Sequence, residues 1–267
     1  MPRANRHYIP GCIWHITHRC HKQEFLLRFA KDKQRWRHWL YEAKKRYGLC
    51  VLNYVVTSNH IHLLVVDTEE GVIPQSLQLI AGRTAQEFNQ RKKRKGAFWE
   101  DRYHATAVES NDHLLKCIVY IDLNMVRAGV VRHPSEYRYC GYKEIQDPPK
   151  RYAVIANKAL SDFFSIDGQI DFRQEHKQLV EAKLLADVAE RKSLWSESVA
   201  IGSEEFVENI HLQLGLRAKG RSVVLEEEGA VLKEASVPYN TLFEGEKSAL
   251  RPDNGYFLNV KGVDSAG

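Results

Sequence analysis

The sequence has few cysteines and no long apolar run, and these absences exclude several classes of protein. Its five cysteines are widely spaced and form no Cys-x-x-Cys pair, which argues against a zinc ribbon and against a disulfide scaffold. No stretch approaches the roughly 18 consecutive apolar residues of a membrane span. The basic N-terminus is not followed by the apolar core of a signal peptide. We therefore expect a cytoplasmic protein with no membrane partner.

What the chain does contain is an uneven distribution of charge. Residues 1–150 hold 25 Lys and Arg against 15 Asp and Glu, whereas residues 151–267 hold 14 against 19. Ten of the twelve histidines also lie in the first part. A basic, histidine-rich half indicates contact with a polyanion. A solvated basic face without any partner is the alternative that charge alone leaves open.

Alternating hydrophobic periods predict the order β-α-β-β-α-β in the first part of the chain. The predicted strands cover residues 9–19, 50–57, 60–67 and 103–109, and the predicted helices cover 32–47 and 73–90. Asp32 is expected to cap the first helix and Gly48 to end it. Two helices on one face of a four-stranded antiparallel sheet make an α+β, ferredoxin-like split βαβ fold. A further helix is predicted from Asn111 or Asp112 to about Gly129.

Pro148 and Pro149 predict a linker, because two consecutive prolines interrupt both helix and strand. We therefore expect one domain over residues 1–147 and a mainly helical C-terminal extension of unknown role over 148–267. Helices are predicted there at 171–192 and 203–214. The last 45 residues have weak periodicity and are expected to be extended over the surface.

The sharpest chemical pattern is the triplet His60-Ile61-His62. Side chains alternate along a strand, so both imidazoles point to the same face and can share a divalent ion. Two half-buried strand histidines bonded to backbone or water are the alternative. A second pattern adds to the first, since Tyr120 and Asn124 lie one helical turn apart on one face.

Together these four residues predict a metal-dependent reaction at phosphorus. The two imidazoles and the Asn124 amide oxygen would hold Mg²⁺ or Mn²⁺, and the Tyr120 phenol would attack a phosphodiester. A free phenol has a pKa near 10 and needs activation at neutral pH. On its own, Tyr120 could equally be an ordinary aromatic residue that packs a helix.

These residues resemble a known family. His60-Ile61-His62 matches the HUH signature, and YIDLNMVRAGVV at 120–131 resembles the tyrosine helix of REP-associated tyrosine transposases, relatives of the insertion-sequence 200 type. Similar stretches are IPGCIWHITHR at 9–19, AFWEDRYHA at 97–105 and HPSEYRY at 133–139. The resemblance covers about residues 8–143. The sequence departs from the family pattern at Thr57-Ser58, where Met-Pro is usual, and at Met125, where Pro is usual.

The resemblance implies a reaction and a substrate. Tyr120 would cut single-stranded DNA, keep a 5′-phosphotyrosine link, release a 3′-hydroxyl and later rejoin strands. The target would be a hairpin formed by a repetitive extragenic palindrome, in a bacterial, nucleoid-associated setting. The protein would act as a monomer or as a homodimer, and the resemblance leaves both open.

Candidate DNA contacts lie in and beside the matched blocks. The basic run 91–95 is expected to be a loop that follows phosphates, three further arginines can bind phosphate, and two aromatic residues can stack on unpaired bases. These residues are Arg91, Lys92, Lys93, Arg94 and Lys95, then Arg19, Arg102 and Arg127, and then Trp99 and Tyr103. The alternative is that both aromatic residues belong to the core and the lysines are merely solvated.

Three other functions compete with the transposase hypothesis. One is a DNA-binding module without catalysis that acts on repeats as a regulatory factor. Another is a metal phosphoesterase that uses water, in which Tyr120 only supports the fold. A replication initiator or relaxase would share the HUH chemistry, but the flanking blocks fit the transposase group better.

Overall fold

The computed structural model describes residues 8–110, 112–164, 172–186, 194–226 and 229–234, without the side chains of residues 196 and 217. Residues 1–234 form one compact unit. A second unit, 235–267, lies outside the described residues, as does most of the segment that was expected to be extended.

The described residues form seven strands and nine α-helices. The strands are β1 (Ile13–Arg19), β2 (Cys50–Val56), β3 (His60–Val66), β4 (His104–Val108), β5 (Ala200–Gly202), β6 (Arg221–Glu226) and β7 (Gly229–Glu234). The helices are α1 (Ala30–Tyr47), α2 (Val72–Lys92), α3 (Asp112–Asp122), α4 (Asn124–Arg127), α5 (Tyr142–Gln146), α6 (Asn157–Phe164), α7 (Phe172–Leu185), α8 (Leu194–Glu197) and α9 (Glu204–Leu214). None of these helices is long and apolar enough to cross a membrane.

The strands join in one sheet of order β2-β3-β1-β4-β5-β7-β6. Each pair of neighbours among β2, β3, β1 and β4 is antiparallel, and these strands have the order of a ferredoxin-like sheet, so the predicted α+β class is confirmed. The C-terminal extension continues this sheet with three strands that the periodicity did not predict. Of these, β5 runs parallel to β4, pairing Ala107 with Ala200.

The two faces of the sheet differ in chemistry. Along β1, Trp14 and Ile16 lie on one face, which α1 and α2 cover with apolar side chains such as Trp36 and Ile80. His15 and Thr17 lie on the opposite face, and both are buried. The register extends this alternation across the sheet, because residues paired on neighbouring strands point the same way.

The first helix begins earlier than its sequence predicted. Its N-cap is Phe29, with Asp32 inside the first turn, where its carboxylate forms an ion pair with Arg91 of α2. Asp32 therefore ties the two helices together and does not cap α1. At the other end, Gly48 has φ 72° and closes the helix as predicted, since a left-handed conformation suits a residue without Cβ.

The predicted helix through Tyr120 and Asn124 is interrupted. α3 ends at Asp122 and α4 begins at Asn124, with Leu123 between them at φ −77° and ψ −1°. The Tyr120 carbonyl accepts a 2.6 Å hydrogen bond from the Arg127 guanidinium, which bridges the two helices. Asn111, the alternative start of α3, lies outside the described residues.

The extension is mainly helical within its described residues. The predicted helix 171–192 is observed as α7, and its residues 171 and 187–192 lie outside the described part. The predicted helix 203–214 is observed as α9, where the Ser203 side chain accepts a 3.2 Å hydrogen bond from the Phe206 amide as an N-cap. The domain boundary at 147/148 stays a prediction.

Candidate active site

The two histidines of the triplet lie on β3, on the polar face of the sheet. Their ring centroids are 5.0 Å apart. His60 is half-buried at the start of the strand, and its Nδ1 lies 2.7 Å from the Asn59 amide oxygen. His62 is 4% exposed. Both side chains therefore point to the same face of the sheet, as predicted.

Thr57 stabilises the turn that presents His60. Its hydroxyl accepts a 3.1 Å hydrogen bond from the His60 amide and donates one of 2.8 Å to the His60 carbonyl. The same hydroxyl lies 3.0 Å from His60 Nδ1. The departure from the family pattern at this position therefore supplies a polar group that closes the hairpin.

The break after α3 does not separate Asn124 from the histidines. The Asn124 amide nitrogen lies 3.1 Å from Nε2 of His62. Tyr120 lies beside the same ring, with centroids 5.8 Å apart and planes at 89°. The structure thus brings together the four residues that the sequence singled out, with His62 at their centre.

Tyr120 is covered by the C-terminal extension. Its side chain is 8% exposed, and the Trp195 ring of α8 stacks on it at 5.9 Å. The Arg127 guanidinium lies 4.2 Å from the centroid of the Tyr120 ring. A cation at this distance favours negative charge on the phenol ring and on any nearby phosphate.

His15 is a site residue that the sequence patterns did not single out. It is completely buried on β1, with its Nε2 2.9 Å from His62 Nδ1 and its Nδ1 2.7 Å from the Trp195 carbonyl oxygen. Burial lowers the pKa of His15 to about 3, so the ring is neutral at physiological pH. The sequence indicated only that His15 lies on the opposite face of the strand from Trp14.

A buried network of hydrogen bonds connects α3 to β2 and α7. The Asp122 carboxylate accepts hydrogen bonds from Asn53 of β2 at 3.1 Å and from His176 of α7 at 2.7 Å. A β-bulge between Val51 and Asn53 accompanies the turn of Asn53 toward α3, where its amide also donates to the Ile118 carbonyl. Sequence reasoning missed this network, because its members are far apart along the chain.

The basic run 91–95 is a loop only in its second part, from Lys93 onward. Arg91 and Lys92 form the last turn of α2, and Lys93 caps it with φ 50°. Arg94 donates a 2.8 Å hydrogen bond to the Ala97 carbonyl and lies 3.5 Å from Glu24. Arg91 and the lysines at 92, 93 and 95 are exposed, whereas Arg94 is half-buried, and the contact of this run with DNA stays a prediction.

The other predicted DNA contacts lie in three different settings. Arg19 is exposed and pairs with His60 across β1 and β3, at the edge of the site, and Arg102 is exposed before β4. Trp99 stacks on His18 at 4.2 Å and donates to the Ala81 carbonyl, on the opposite side of the sheet from His62. Tyr103 lies beside the same histidine at 6.5 Å. Both aromatic residues pack against the core, which is the alternative the sequence left open.

Within the described residues, no three His, Cys, Asp or Glu side chains converge on a point that could hold a metal ion. An ion at this site therefore needs the amide of Asn124 in addition to the two imidazoles.

Part of the chain is similar to known proteins. A solved REP-associated tyrosine transposase bound to a REP hairpin is 21% identical to the chain, with a TM-score of 0.46, covering 54% of this chain and 85% of that one. A transposase-like protein from Deinococcus radiodurans R1 is 16% identical, with a TM-score of 0.33, covering 48% and 97%. A search of curated proteins finds no match. Residues 8–124, a segment that contains His60, His62, Tyr120 and Asn124, match the family model of IS200-like transposases.

Proposed function

We propose that this protein is a transposase that nicks and rejoins hairpin-bearing single-stranded DNA, with Tyr120 as the nucleophile. The observation that carries the proposal is the convergence on His62. The phenol ring of Tyr120 and the amide of Asn124 both lie against this imidazole, at 5.8 Å between centroids and 3.1 Å between nitrogens. A tyrosine that only packed a helix would need neither neighbour.

The donor set fits a small divalent cation. Two adjacent ligands of an octahedral ion with bonds of about 2.1 Å lie about 3.0 Å apart. The nitrogens of His62 and Asn124 are 3.1 Å apart, and an amide can exchange its nitrogen and oxygen positions without repacking. His60, His62 and Asn124 would hold Mg²⁺ or Mn²⁺, and such an ion supplies Lewis-acid polarisation of a phosphodiester.

The chain's own residues perform the rest of the reaction. The Tyr120 phenol loses its proton and bonds to phosphorus, the bond from phosphorus to the 3′-oxygen breaks, and that oxygen takes up a proton. The product is a 5′-phosphotyrosine and a 3′-hydroxyl, and the reverse step joins strands. Arg127, 4.2 Å from the phenol ring, stabilises the negative charge that develops there.

The DNA would enter beside His60 and Asn124, because both are half-exposed whereas Trp195 covers the far side of Tyr120. Arg19, exposed next to His60, lies at this entrance and can bind a phosphate. A REP-type hairpin as the target rests on the motif resemblance and on the basic first half of the chain.

The test is a denaturing gel with Mn²⁺ and labelled single-stranded hairpin DNA from repeats that flank the protein's own gene. We expect a slow-migrating, protease-sensitive adduct with the wild type and with Tyr139→Phe, and no adduct with Tyr120→Phe. Tyr139 is the matched control, because its ring packs against Tyr137 away from the site.

Two outcomes would replace the proposal. Cleavage by Tyr120→Phe that leaves 5′-phosphate ends would identify a phosphoesterase that uses water. Tight hairpin binding without an adduct, in Mg²⁺ and in Mn²⁺, would identify a DNA-binding module.

A further inference from the structure

Three consecutive hydrogen bonds connect Asn124 to the C-terminal extension through two histidines. They join the Asn124 amide to His62 Nε2 at 3.1 Å, His62 Nδ1 to His15 Nε2 at 2.9 Å, and His15 Nδ1 to the Trp195 carbonyl oxygen at 2.7 Å. A neutral imidazole carries one donor and one acceptor nitrogen, so such a chain has a direction.

The Trp195 end sets that direction. A carbonyl oxygen only accepts, so His15 must carry its proton on Nδ1 and donate it to Trp195. The neutral His15 ring then has a lone pair on Nε2. That lone pair can only accept, so His62 must donate from Nδ1 and keep its own lone pair on Nε2.

The Asn124 end agrees with this direction. The amide nitrogen that lies against His62 Nε2 can donate to it, so Nε2 is the acceptor in this arrangement. All three hydrogen bonds therefore run from Asn124 toward Trp195. The Nε2 lone pair of His62 faces Asn124, where the proposed function needs a metal ligand.

We infer that His15, fixed by the Trp195 carbonyl, is a positioning residue that holds His62 in its Nδ1–H, metal-binding tautomer. This inference rests on the proposed function of the site. It also gives the C-terminal extension a role, since its α8 supplies the acceptor that orients both rings. Ligating histidines commonly donate their second N–H to a fixed acceptor, and here that acceptor is another histidine.

His60 reaches the same tautomer through a different partner. Its Nδ1 lies 2.7 Å from the Asn59 amide oxygen, a neighbour in sequence on the hairpin turn. The first histidine of the triplet is thus oriented by local structure and the second by a residue far along the chain. A change at His15 is expected to affect His62 and to leave the tautomer of His60 unchanged.

The test compares two substitutions of similar polarity in the full-length protein. In His15→Gln the side-chain oxygen can still accept from His62 Nδ1, whereas His15→Asn keeps a donor for Trp195 but is too short to reach His62. His18→Gln is the control, because His18 is buried on the other face of β1 and bonds to the Asp101 carbonyl. Two-bond ¹⁵N–¹H spectra of the metal-free proteins report the tautomer, and electron paramagnetic resonance of added Mn²⁺ reports affinity.

We expect the Nδ1–H tautomer for His62 in the wild type, in His15→Gln and in His18→Gln. We expect a mixture of tautomers in His15→Asn, with Mn²⁺ affinity lowered by about 10- to 100-fold. A general loss of folding would lower the affinity of the Gln and Asn variants equally, so the difference between them isolates the hydrogen bond.

Two results would overturn the inference. One is the Nε2–H tautomer for His62 in the wild type, and the other is equal Mn²⁺ affinity in His15→Asn and the wild type. The adduct assay separates this failure from that of the proposed function. An adduct with either of these two results refutes the positioning role alone, whereas the expected tautomers without any adduct refute the proposed nuclease alone.

Discussion

The two faces of the central sheet are built from the same strands and serve different ends. One face carries Trp14, Leu63 and Val65 beneath α1 and α2, and is part of the apolar core. The other carries His15, His62 and Thr106, also buried, but their polar atoms are all hydrogen-bonded to partners. Burial is therefore no guide to which face has the chemistry.

The two faces differ in the contacts that their buried side chains make. On the helix-covered face, side chains meet other apolar side chains, and their contribution is stability. On the polar face, the carbonyls of Trp195 and Ser198 accept hydrogen bonds from His15 and Thr106, so a short C-terminal segment satisfies groups that the first four strands leave without a backbone partner. The extension completes this face and is not an appendage to it.

Neighbouring residues on β3 give the strongest test of this comparison. Leu63→Ala removes a fully buried side chain from the helix-covered face and is expected to lower the free energy of unfolding by about 2–5 kcal/mol. His62→Ala removes hydrogen bonds on the other face and should cost less, about 1–3 kcal/mol. Urea unfolding measures both values.

In the adduct assay, His62→Ala should have the larger effect and Leu63→Ala the smaller one. We expect no adduct with His62→Ala and wild-type adduct per folded molecule with Leu63→Ala, measured at low temperature where both variants are folded. Loss of the adduct in both variants at equal folded fraction would show that the two faces are not separable in function.

A smaller effect, on pH dependence, should be common to both faces. Burial lowers the pKa of His15 to about 3 and of His18 to about 4, against 6.5 in the unfolded chain. Between these values the unfolded state binds more protons, so stability is full above pH 6.5 and falls as the pH is lowered toward 4. At pH 5 each histidine should lower the free energy of unfolding by on the order of 2 kcal/mol relative to its value above pH 6.5.

His18→Gln and His15→Gln should therefore each reduce the loss of stability between pH 7.5 and pH 5 by that amount. The measurement is urea unfolding at the two pH values, with the wild type as reference. An unchanged pH dependence in either variant would mean that the histidine concerned is not the group that titrates.

The smallest expected effect concerns the lysines at the end of α2, away from the site. Replacing Lys92, Lys93 and Lys95 together by alanine should make the plot of log binding constant against log salt shallower, by about 0.7 for each phosphate that the protein no longer neutralises. The cleavage rate of bound DNA should not change. The matched control replaces three exposed lysines elsewhere, namely Lys143, Lys150 and Lys158. Equal slopes for the two triple variants would show that the lysines at the end of α2 do not contact DNA.

The sequence was sufficient for the ferredoxin-like half of the fold, because its periods of 2 and 3.6 are local properties. It was insufficient for β5, β6 and β7, whose positions depend on pairing with a sheet edge formed by distant residues. The break at Leu123 was missed for a related reason. The residues around it favour a continuous helix, and the Arg127 bond to the Tyr120 carbonyl exists only in three dimensions.

The site divides in the same way. The proximity of His60 to His62, and of Tyr120 to Asn124, was predictable from spacing, since each pair lies within one strand or about one helical turn. His15 was not, because its contact with His62 depends on the diagonal register of β1 against β3, in which His62 pairs with Thr17. The first two residues of the basic run were predicted as part of a loop, but they continue α2, where Asp32 of α1 forms an ion pair with Arg91.

The hydrogen bond between His15 and the Trp195 carbonyl also orders events in time. It spans 180 residues of sequence. Trp195 follows Asn124 by about 70 residues, and a ribosome that adds about 5–20 residues per second needs roughly 4–14 s to make them. During this period the nascent chain already carries His60, His62, Tyr120 and Asn124 but not the acceptor that orients them. Synthesis thus supplies the proposed nucleophile and metal ligands before the carbonyl group that orients His15 and His62.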